Sequence, residues 1–548
     1  MSDKRCWVGF TVLLFFAIGC GSQYTGIGVT ASSKTTLASS CGLSLTSHST
    51  NLDTGSAITI RLKQTGCSAA QNYYWGVNGI EGGNEQVGTI SSSGVYTAPL
   101  YPPSNGQVTI SASSNSNMSS PATITLNIFY LVPASASQRM PVNRQVSPDF
   151  FGMHMRCSDE TCGSNSRDLT DVRFGSMRLW DNFHWAKLEP EPGMYNFAPL
   201  DELIEAAKRQ GVDNFIFTLG NPPAWAAANQ DAACTPSVPG TTCQVPNMDA
   251  LDQFLNTFVQ HYCGKISTYE FWNEPDQVRW SDSVNTSILI AQHVFSITHN
   301  PDNCGCSGDD CRPGGGTNLN LVAGPAIGYL WDREWLKAFM AGGGGKYVDV
   351  NTVHTYGYLY TLSSFSRDYD AYHTLLANYG QDNKPILDTE TDWGTPDPAR
   401  PRTEDQLASW MIEFITLNAA KGINSVSWYA YNNCLWGTLY GPKCGTSADN
   451  YQGLRKAGVA YRELYKWLTG ATLEYCDTDS SGDAACRLTR DGSYEAWIAW
   501  AGGASKIEIN QASTPLTQFR DQEGDTYAFT NNLSIDTKPL LIETSAAW

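Results

Sequence analysis

Residues 266–276, with the sequence ISTYEFWNEPD, are the stretch on which the fold assignment turns. The stretch begins with the apolar, β-branched and aromatic residues of a buried strand, and Pro275 ends it because proline cannot donate to a sheet ladder. Glu274 thus follows an apolar strand directly, where an unpaired carboxylate would be costly to bury. A second segment, KPILDTETDWG at 384–394, has the same character and carries Glu390.

Strand-like and helix-like segments alternate through residues 133–468, around these two stretches. In the helix-like segments apolar residues recur at helical spacing, and a capping box of Thr403 and Gln406 opens one of them. Eight alternating units predict a central (β/α)8 TIM barrel rather than an open sheet. The strand-like segments are FFGMHM (150–155), SMRLW (176–180), NFIFTLG (214–220), ISTYEFW (266–272), LNLVAG (319–324), VDVNTVHTYGY (348–358), KPILDTETDWG (384–394) and NSVSWYAY (424–431).

The regions on either side of the predicted barrel have a different pattern. Residues 39–132 contain short alternating runs between Gly, Asn and Pro turns, which predict a β-sandwich. The segment GTISSSGVYTAP at 88–99 resembles bacterial immunoglobulin-like modules, so an N-terminal Ig-like β-sandwich is expected. Residues 469–548 again show alternating strands and predict a C-terminal β-sandwich.

The first 20 residues have the pattern of an export signal. Lys4 and Arg5 precede an apolar run at 8–18 that is too short to span a bilayer. The run ends in FAIGC, which resembles a bacterial lipobox with Cys20 as the lipidation site; a plain signal peptide is the alternative. Residues 21–38 are rich in Gly, Ser and Thr and predict a flexible tether. We therefore expect an exported protein of the bacterial cell envelope, lipid-anchored or otherwise secreted.

Cysteine usage agrees with export, and the charge disfavours nucleic acid as a partner. Without Cys6 and Cys20, 14 of the 16 cysteines remain, an even number that suits disulfide bonds in an oxidising compartment. The net charge of −18, from 35 basic and 53 acidic residues, would repel a nucleic-acid backbone. The candidate pairs are Cys41/Cys67, Cys157/Cys162, Cys234/Cys243, Cys434/Cys444 and Cys476/Cys486, with two more bridges among Cys263, Cys304, Cys306 and Cys311.

Polar and aromatic residues gather where the predicted barrel strands end. The carboxyl ends of the strands form the active site in barrels of this class. Each residue alone could be ordinary packing or a structural ion pair, but six strand ends are involved. These residues are His154, Arg178, Trp180, Asp181, Asn273, Glu274, His354, Tyr356, Glu390 and Trp428.

The motifs YEFWNEP (269–275) and DTETDWG (388–394) resemble those of retaining glycoside hydrolases built on (β/α)8 barrels, and family 39 is the most similar. The sequence has Ser267 where that family usually has tryptophan. The resemblance implies that Glu274 is the acid/base and Glu390 the nucleophile of a double displacement. When two carboxylates lie so near each other, ionising both is energetically costly. Glu274 is therefore expected to hold a proton. Asp388 and Asp392 are the rivals for the role of Glu390.

The same resemblance implies roles for the surrounding residues. Asn273 should bind the sugar 2-hydroxyl, and Tyr356 should hold Glu390. Arg178 and His354 should support the site, while Trp428 should form the floor of the subsite for the cleaved sugar. Candidates for neighbouring subsites are Trp180, His184, Trp185 and Trp225, for which ordinary packing is the alternative.

The predicted function is therefore a retaining glycosidase that acts on a polysaccharide or oligosaccharide. It would need no cofactor and no metal, and a monomer is expected. The alternative is a non-catalytic carbohydrate-binding or adhesin lipoprotein, which would have no reason to keep both Glu274 and Glu390. Neither Gly-x-Ser-x-Gly nor His-Glu-x-x-His occurs in the sequence, which disfavours a serine esterase and a zinc protease. A transglycosylase would use the same residues.

Overall fold

The structure is a computed structural model. It describes residues 42–544 apart from the gaps 66–71, 100–102, 104–105, 115–119, 130–137, 156–171, 181–182, 230–234, 237, 279, 304–319, 358–360, 394–401, 433–436, 442–452, 492–493, 503–506, 510–515 and 530–532. The predicted signal peptide, the lipidation site Cys20 and the tether lie outside the described residues. In the part of the chain that is described, no helix is both long enough and apolar enough to cross a bilayer.

Residues 42–129 form short strands in a two-, a five- and a four-stranded sheet. They enclose a hydrophobic cluster of their own, in which Trp75, Tyr96 and Ile110 are buried. The immunoglobulin-like character of this region stays a prediction. The strands are β1 (Gly42–Thr46), β2 (Asn51–Asp53), β3 (Ala57–Thr59), β4 (Arg61–Thr65), β5 (Tyr74–Val77), β6 (Ile80–Glu81), β7 (Gly83–Asn84), β8 (Gly88–Ile90), β9 (Val95–Thr97), β10 (Gln107–Ser113) and β11 (Ala122–Phe129).

The central region is a closed barrel of eight parallel strands, which confirms the predicted TIM-barrel core. The strands are buried along their length, as expected where helices cover the outside and side chains fill the inside. The strands are β13 (Phe151–His154), β14 (Ser176–Leu179), β15 (Asn214–Thr218), β16 (Thr268–Glu270), β17 (Leu321–Ile327), β18 (Val350–His354), β19 (Ile386–Thr391) and β20 (Ser425–Trp428), which follow strand β12 (Gln138–Gln145) along the chain.

Helices cover the outside of the barrel and bury the apolar faces that the sequence predicts. In the helix that starts after Thr403, the Thr403 hydroxyl accepts from the Gln406 amide and Gln406 Oε1 accepts from the Thr403 amide, so the predicted capping box is confirmed. The described helices are α1 (Trp185–Leu188), α2 (Ala198–Lys208), α3 (Met248–His261), α4 (Ser283–Thr298), α5 (Glu334–Ala341), α6 (Leu362–Asn378), α7 (Glu404–Ala420) and α8 (Lys456–Leu468).

The C-terminal region differs from the prediction in where its first strand comes from. Strand β12 precedes the barrel in the chain, yet it pairs antiparallel with the first strand after the barrel. An ion pair of 2.5 Å between Arg139 Nη2 and Asp477 Oδ2 joins the two strands. The predicted boundary at residue 133 therefore assigns a strand of the C-terminal sheet to the barrel. A short strand carries no sign of its partner when more than 300 positions separate the two.

Strands after the barrel complete a seven-stranded sheet and a two-stranded one. The predicted disulfide between Cys476 and Cys486 joins two directly opposed residues of this sheet. Cys243 and Cys263 are each disulfide-bonded. The cysteines predicted as their partners, and those of the remaining predicted pairs, lie outside the described residues. The strands are β21 (Thr472–Thr478), β22 (Ala484–Thr489), β23 (Glu495–Trp500), β24 (Ile507–Ile509), β25 (Gln518–Arg520), β26 (Thr526–Ala528), β27 (Leu533–Ile535) and β28 (Leu540–Glu543).

Candidate active site

Glu274 stands just beyond the carboxyl end of β16, on a strained piece of backbone. Asn273 still pairs with Ala326 in the parallel ladder. Glu274 then has φ = 45°, in the left-handed region. A following proline disfavours the right-handed helical region, and a non-glycine residue at positive φ costs roughly 1–3 kcal/mol. The strand end thus turns sharply at the residue whose carboxylate the sequence singles out.

The Glu274 carboxylate is half-buried and has a histidine as its partner. Nδ1 of His354, at the end of β18, lies 2.9 Å from Glu274 Oε1. Burial by itself would lower the pKa of the fully enclosed His354, but the Glu390 and Glu274 carboxylates outweigh it and raise the pKa. The raised pKa favours a proton on the His354 ring, and that ring is hydrogen-bonded to the Glu274 carboxylate.

Glu390 lies near the end of β19, and both of its carboxylate oxygens are held. Arg178 Nη1 donates to Oε2 at 2.7 Å, and the Tyr356 hydroxyl donates to Oε1. The pKa of Tyr356 is raised well above its usual value by burial and then by the Glu390 charge, so the phenol keeps its proton and remains a donor. Two donors on a carboxylate favour its ionised form.

The two glutamates meet across the barrel mouth. One oxygen of Glu274, one oxygen of Glu390 and a ring nitrogen of His354 all lie within 4.8 Å of one another. Among the described residues, these three side chains are close enough together to hold a metal ion. However, Arg178 and Tyr356 already donate hydrogen bonds to the two Glu390 oxygens. The arrangement places one carboxylate that is fixed by donors opposite another that shares a proton.

Glu270, at the end of β16, belongs to the same network, and sequence reasoning missed it. It is completely buried, and its Oε2 accepts from Arg178 Nε at 2.8 Å and from Nη2 at 2.5 Å. The hydroxyls of Thr218 and Thr389 donate to its two oxygens. Its place in YEFWNEP is the one signal that could have identified it, since a glutamate in an apolar strand needs a buried partner.

Arg178 is the hub that joins the two strand ends. It donates to Glu270, to Glu390 and, at 2.8 Å, to Asn273 Oδ1. Although burial would lower its pKa, the Glu270 and Glu390 charges outweigh that and raise it. Burial by itself would raise the pKa of Glu270, but the Arg178 charge outweighs it and brings the pKa below its usual value. The guanidinium thus fixes Asn273 and Glu390 relative to each other.

Comparison with known proteins gives this geometry a context. Residues 157–245 match the model of glycoside hydrolase family 42, described as β-galactosidase. A β-1,4-xylanase from Dictyoglomus thermophilum is 23% identical over 191 residues, which are 33% of this chain and 50% of the xylanase. The chain therefore spans about half the length of this curated relative.

Solved structures cover more of the chain. A family 39 glycoside hydrolase from Bacteroides cellulosilyticus WH2 matches with a TM-score of 0.55 and 13% identity, over 91% of this chain and 99% of that one. The chain has a glycoside hydrolase fold. A family 39 β-xylosidase from Caulobacter crescentus matches with a TM-score of 0.50 and 18% identity, over 74% of this chain and 97% of that one. The resemblance to family 39 that residues 269–275 indicate is confirmed at the level of the fold.

Within this glycoside hydrolase fold, the predicted subsite aromatics have different surroundings. Trp428 is fully enclosed, donates to the Gly437 carbonyl at 2.7 Å and packs against Trp393 at 5.1 Å between ring centroids. Trp180 is half-buried, and the Arg178 guanidinium carbon lies 5.9 Å from the centroid of the Trp180 ring. Trp180 is thus close to the charged network, whereas Trp428 is held by the wall of the barrel.

His184 and Trp225 lie farther along the barrel rim. His184 immediately precedes α1, and burial, followed by the Lys187 charge, lowers its pKa to about 4. Trp225 is half-buried and meets the buried Trp185 edge to face at 6.1 Å. The contacts described for both residues are with α1 and its ends rather than with the carboxylate pair, so their role as subsite residues stays a prediction.

The two rival aspartates and His154 serve the strands around Glu390. Asp388 is completely buried beside the Thr355 hydroxyl, and burial raises its pKa well above the usual value. Asp392 Oδ2 accepts from the Gly437 amide at 2.8 Å. His154 Nε2 lies 2.9 Å from the Thr389 carbonyl, and burial, followed by the Arg178 charge, lowers its pKa well below the usual value. Glu390 alone of the three carboxylates carries both the Arg178 and the Tyr356 contact.

Proposed function

We propose that the chain is a retaining glycoside hydrolase in which Glu390 is the nucleophile and Glu274 the acid/base. The observation that carries the proposal is the approach of the two carboxylates to within 4.8 Å between oxygens. Retaining enzymes hold their carboxyl groups about 5–5.5 Å apart, and inverting enzymes about 6.5–9.5 Å to admit a water. The short separation supports double displacement.

The contacts of each glutamate suit the role proposed for it. Glu390 must be ionised to attack the anomeric carbon, and the donors Arg178 and Tyr356 favour that form. Glu274 must deliver a proton to the departing glycosidic oxygen, and its hydrogen bond to His354 can supply one. Attack forms the bond between Glu390 and the sugar while the glycosidic bond breaks, and the proton goes to the leaving oxygen.

The second half of the reaction follows from the loss of the Glu390 charge. That charge helps to raise the pKa of His354. Once Glu390 is an ester that charge is gone, and Glu274 has already given up its proton to the leaving oxygen. Glu274 can then accept a proton from water, which attacks the anomeric carbon and releases Glu390. Asn273, fixed by Arg178 at 2.8 Å, would bind the sugar 2-hydroxyl.

The substrate proposed is a polysaccharide or oligosaccharide, and the names of two similar proteins make β-xylosides the first to test. The xylanase of D. thermophilum and the β-xylosidase of C. crescentus are named for such substrates. Export to the bacterial cell envelope, through the Cys20 lipid anchor, is proposed with it. The polysaccharide would then be met outside the cytoplasm.

The experiment is a screen of the purified protein against polysaccharides and aryl-glycosides, with Glu274→Ala and Glu390→Gln as variants. Glu390→Gln should abolish hydrolysis of every substrate. Glu274→Ala should slow substrates with poor leaving groups far more than activated aryl-glycosides, and azide should partly restore it. Glu495→Gln, on a strand of the C-terminal sheet, serves as a control and should leave hydrolysis unchanged. Equal losses in both glutamate variants on all substrates would contradict the assignment.

A further inference from the structure

Two aromatic side chains stand at the barrel rim just after β17. Tyr329 and Trp331 stack with their ring centroids 5.1 Å apart and their planes at 30°. Trp331 is 52% exposed, whereas the other tryptophans in the described part of the barrel are buried or half-buried. An exposed indole leaves apolar area in water at a cost of roughly 25 cal/mol per Å². Something that covers the ring would recover that cost.

The turn that carries the pair is anchored to the barrel. Leu330, between the two aromatics, is completely buried in the barrel core. Arg333 Nη1 donates to the Leu330 carbonyl at 2.8 Å and lies 3.8 Å from Asp368 Oδ1 on α6. The exposed ring therefore stands on a fixed turn, and a ligand that stacks on it would have little backbone to order.

The turn begins beside the proposed acid/base. A Cβ atom placed on Gly328 would lie 3.2 Å from Glu274 Oε1, and the Gly328 amide lies 3.2 Å from each carboxylate oxygen of Asp276. Trp331 comes three positions after Gly328, a span of at most about 11 Å. The stacked pair is thus within the reach of one or two sugar units from the Glu274 carboxyl.

We propose that Tyr329 and Trp331 form a subsite for the sugar unit that carries the leaving oxygen. The proposal rests on the proposed function, in which Glu274 protonates that oxygen. The leaving group must then lie next to Glu274 and away from the residues that hold Glu390, which are Arg178 on β14 and Tyr356 after β18. The turn after β17 flanks Glu274 through Gly328. The ligand is a sugar ring of an oligosaccharide or polysaccharide, whose apolar C–H face would stack on the indole.

The proposal implies a difference between substrates with and without a sugar leaving group. A glycosyl fluoride carries the same cleaved sugar but nothing that could reach Trp331. An oligosaccharide of that sugar places its next ring over the indole. An aryl-glycoside is unsuitable for this comparison because its aromatic ring could itself stack on Trp331.

The experiment measures kcat/KM for Trp331→Ala with a matched pair of substrates, a xylo-oligosaccharide and the corresponding xylosyl fluoride. The variant should lose roughly tenfold on the oligosaccharide, the scale of one aromatic contact, and less than twofold on the fluoride. Trp331→Phe should regain most of the loss because it keeps a ring. The control is Tyr527→Ala, since Tyr527 is 45% exposed and stacks on Phe519 at 5.1 Å in the C-terminal sheet.

Three outcomes would overturn the proposal. Equal loss on both substrates would mean that Trp331 supports the site as a whole, and unchanged rates on both would mean that no sugar contacts it. A loss in Tyr527→Ala as large as that in Trp331→Ala would remove the link to the barrel rim. A different result would refute the proposed function: the unaltered protein would hydrolyse neither the two xylosyl substrates nor any glycoside of the wider panel. The subsite would then be refuted as well.

Discussion

Replacing Glu270 by glutamine tests whether the buried charge network holds the site together. Glu270 has no exposed surface and takes two hydrogen bonds from Arg178 and one each from Thr218 and Thr389. Glutamine keeps the shape and one acceptor oxygen but removes the charge. Arg178 would then have Glu390 as its single carboxylate partner within the described network.

The magnitude follows from the burial of the pair. Removing one partner of a buried ion pair costs about 3–5 kcal/mol of unfolding free energy. Because Arg178 keeps Glu390 and glutamine still accepts a hydrogen bond, we expect the lower end, about 3 kcal/mol. The pKa of Glu270 is lowered in the folded protein. Its stabilising contribution is therefore present above the unfolded pKa of about 4.3 and is lost as the pH falls through the lower folded value.

The assay is urea unfolding followed by tryptophan fluorescence at pH 7 and below pH 4. A matched control is Glu495→Gln, which removes a 2.9 Å ion pair with Arg487 whose partners are 27% and 23% exposed. That change should cost no more than about 1 kcal/mol. The reasoning is refuted if Glu270→Gln costs as little as the control at pH 7, or if its cost stays the same at low pH.

The remaining predictions concern a half-buried acid, a disulfide and the anchor. Burial, against the opposing charge of Arg402, raises the pKa of Glu413 to about 8. The folded protein therefore keeps a proton that the unfolded chain releases near pH 4.3. Stability should fall as the pH rises between these two values. Glu413→Gln should remove that fall, a relative gain on the order of 3 kcal/mol between pH 5 and pH 8 in thermal melts; equal slopes in both proteins would contradict it. Replacing Cys476 and Cys486 together by serine should cost about 2–4 kcal/mol under oxidising conditions, and reductant should erase the difference in denaturation midpoint. Cys20→Ser should release the protein from the membrane fraction, and unchanged partitioning would refute the lipid anchor.

The sequence was sufficient to predict the barrel because each strand can be recognised from its own short run of apolar residues. Seven of the eight strand-like segments contain a barrel strand, the segment 319–324 overlaps the first part of β17, and Glu274 and Glu390 stand at the ends predicted for them. Parallel strands of a barrel bring their carboxyl ends together whatever their separation in the chain. The meeting of residues 116 positions apart, from 274 to 390, thus follows from the alternation of strands and helices.

Features that depend on distant partners were beyond the sequence. Glu270 is conspicuous only once Arg178, 92 positions away, is known to reach it. Strand β12 pairs with β21 although the whole barrel lies between them in the sequence, and nothing in the short run of β12 residues specifies that pairing. The exposure of Trp331 likewise depends on how the turn after β17 is anchored, because the same residue could have packed inward. Local patterns therefore predict elements, whereas burial and pairing need the assembled fold.

The most direct test of the double displacement is the anomeric configuration of the first product. Proton NMR of the purified protein acting on a β-xyloside, or on whichever glycoside the screen selects, distinguishes the two configurations before mutarotation mixes them. The closely spaced Glu274 and Glu390 predict that the first product keeps the configuration of the substrate, through an ester on Glu390. A first product of inverted configuration would contradict the account.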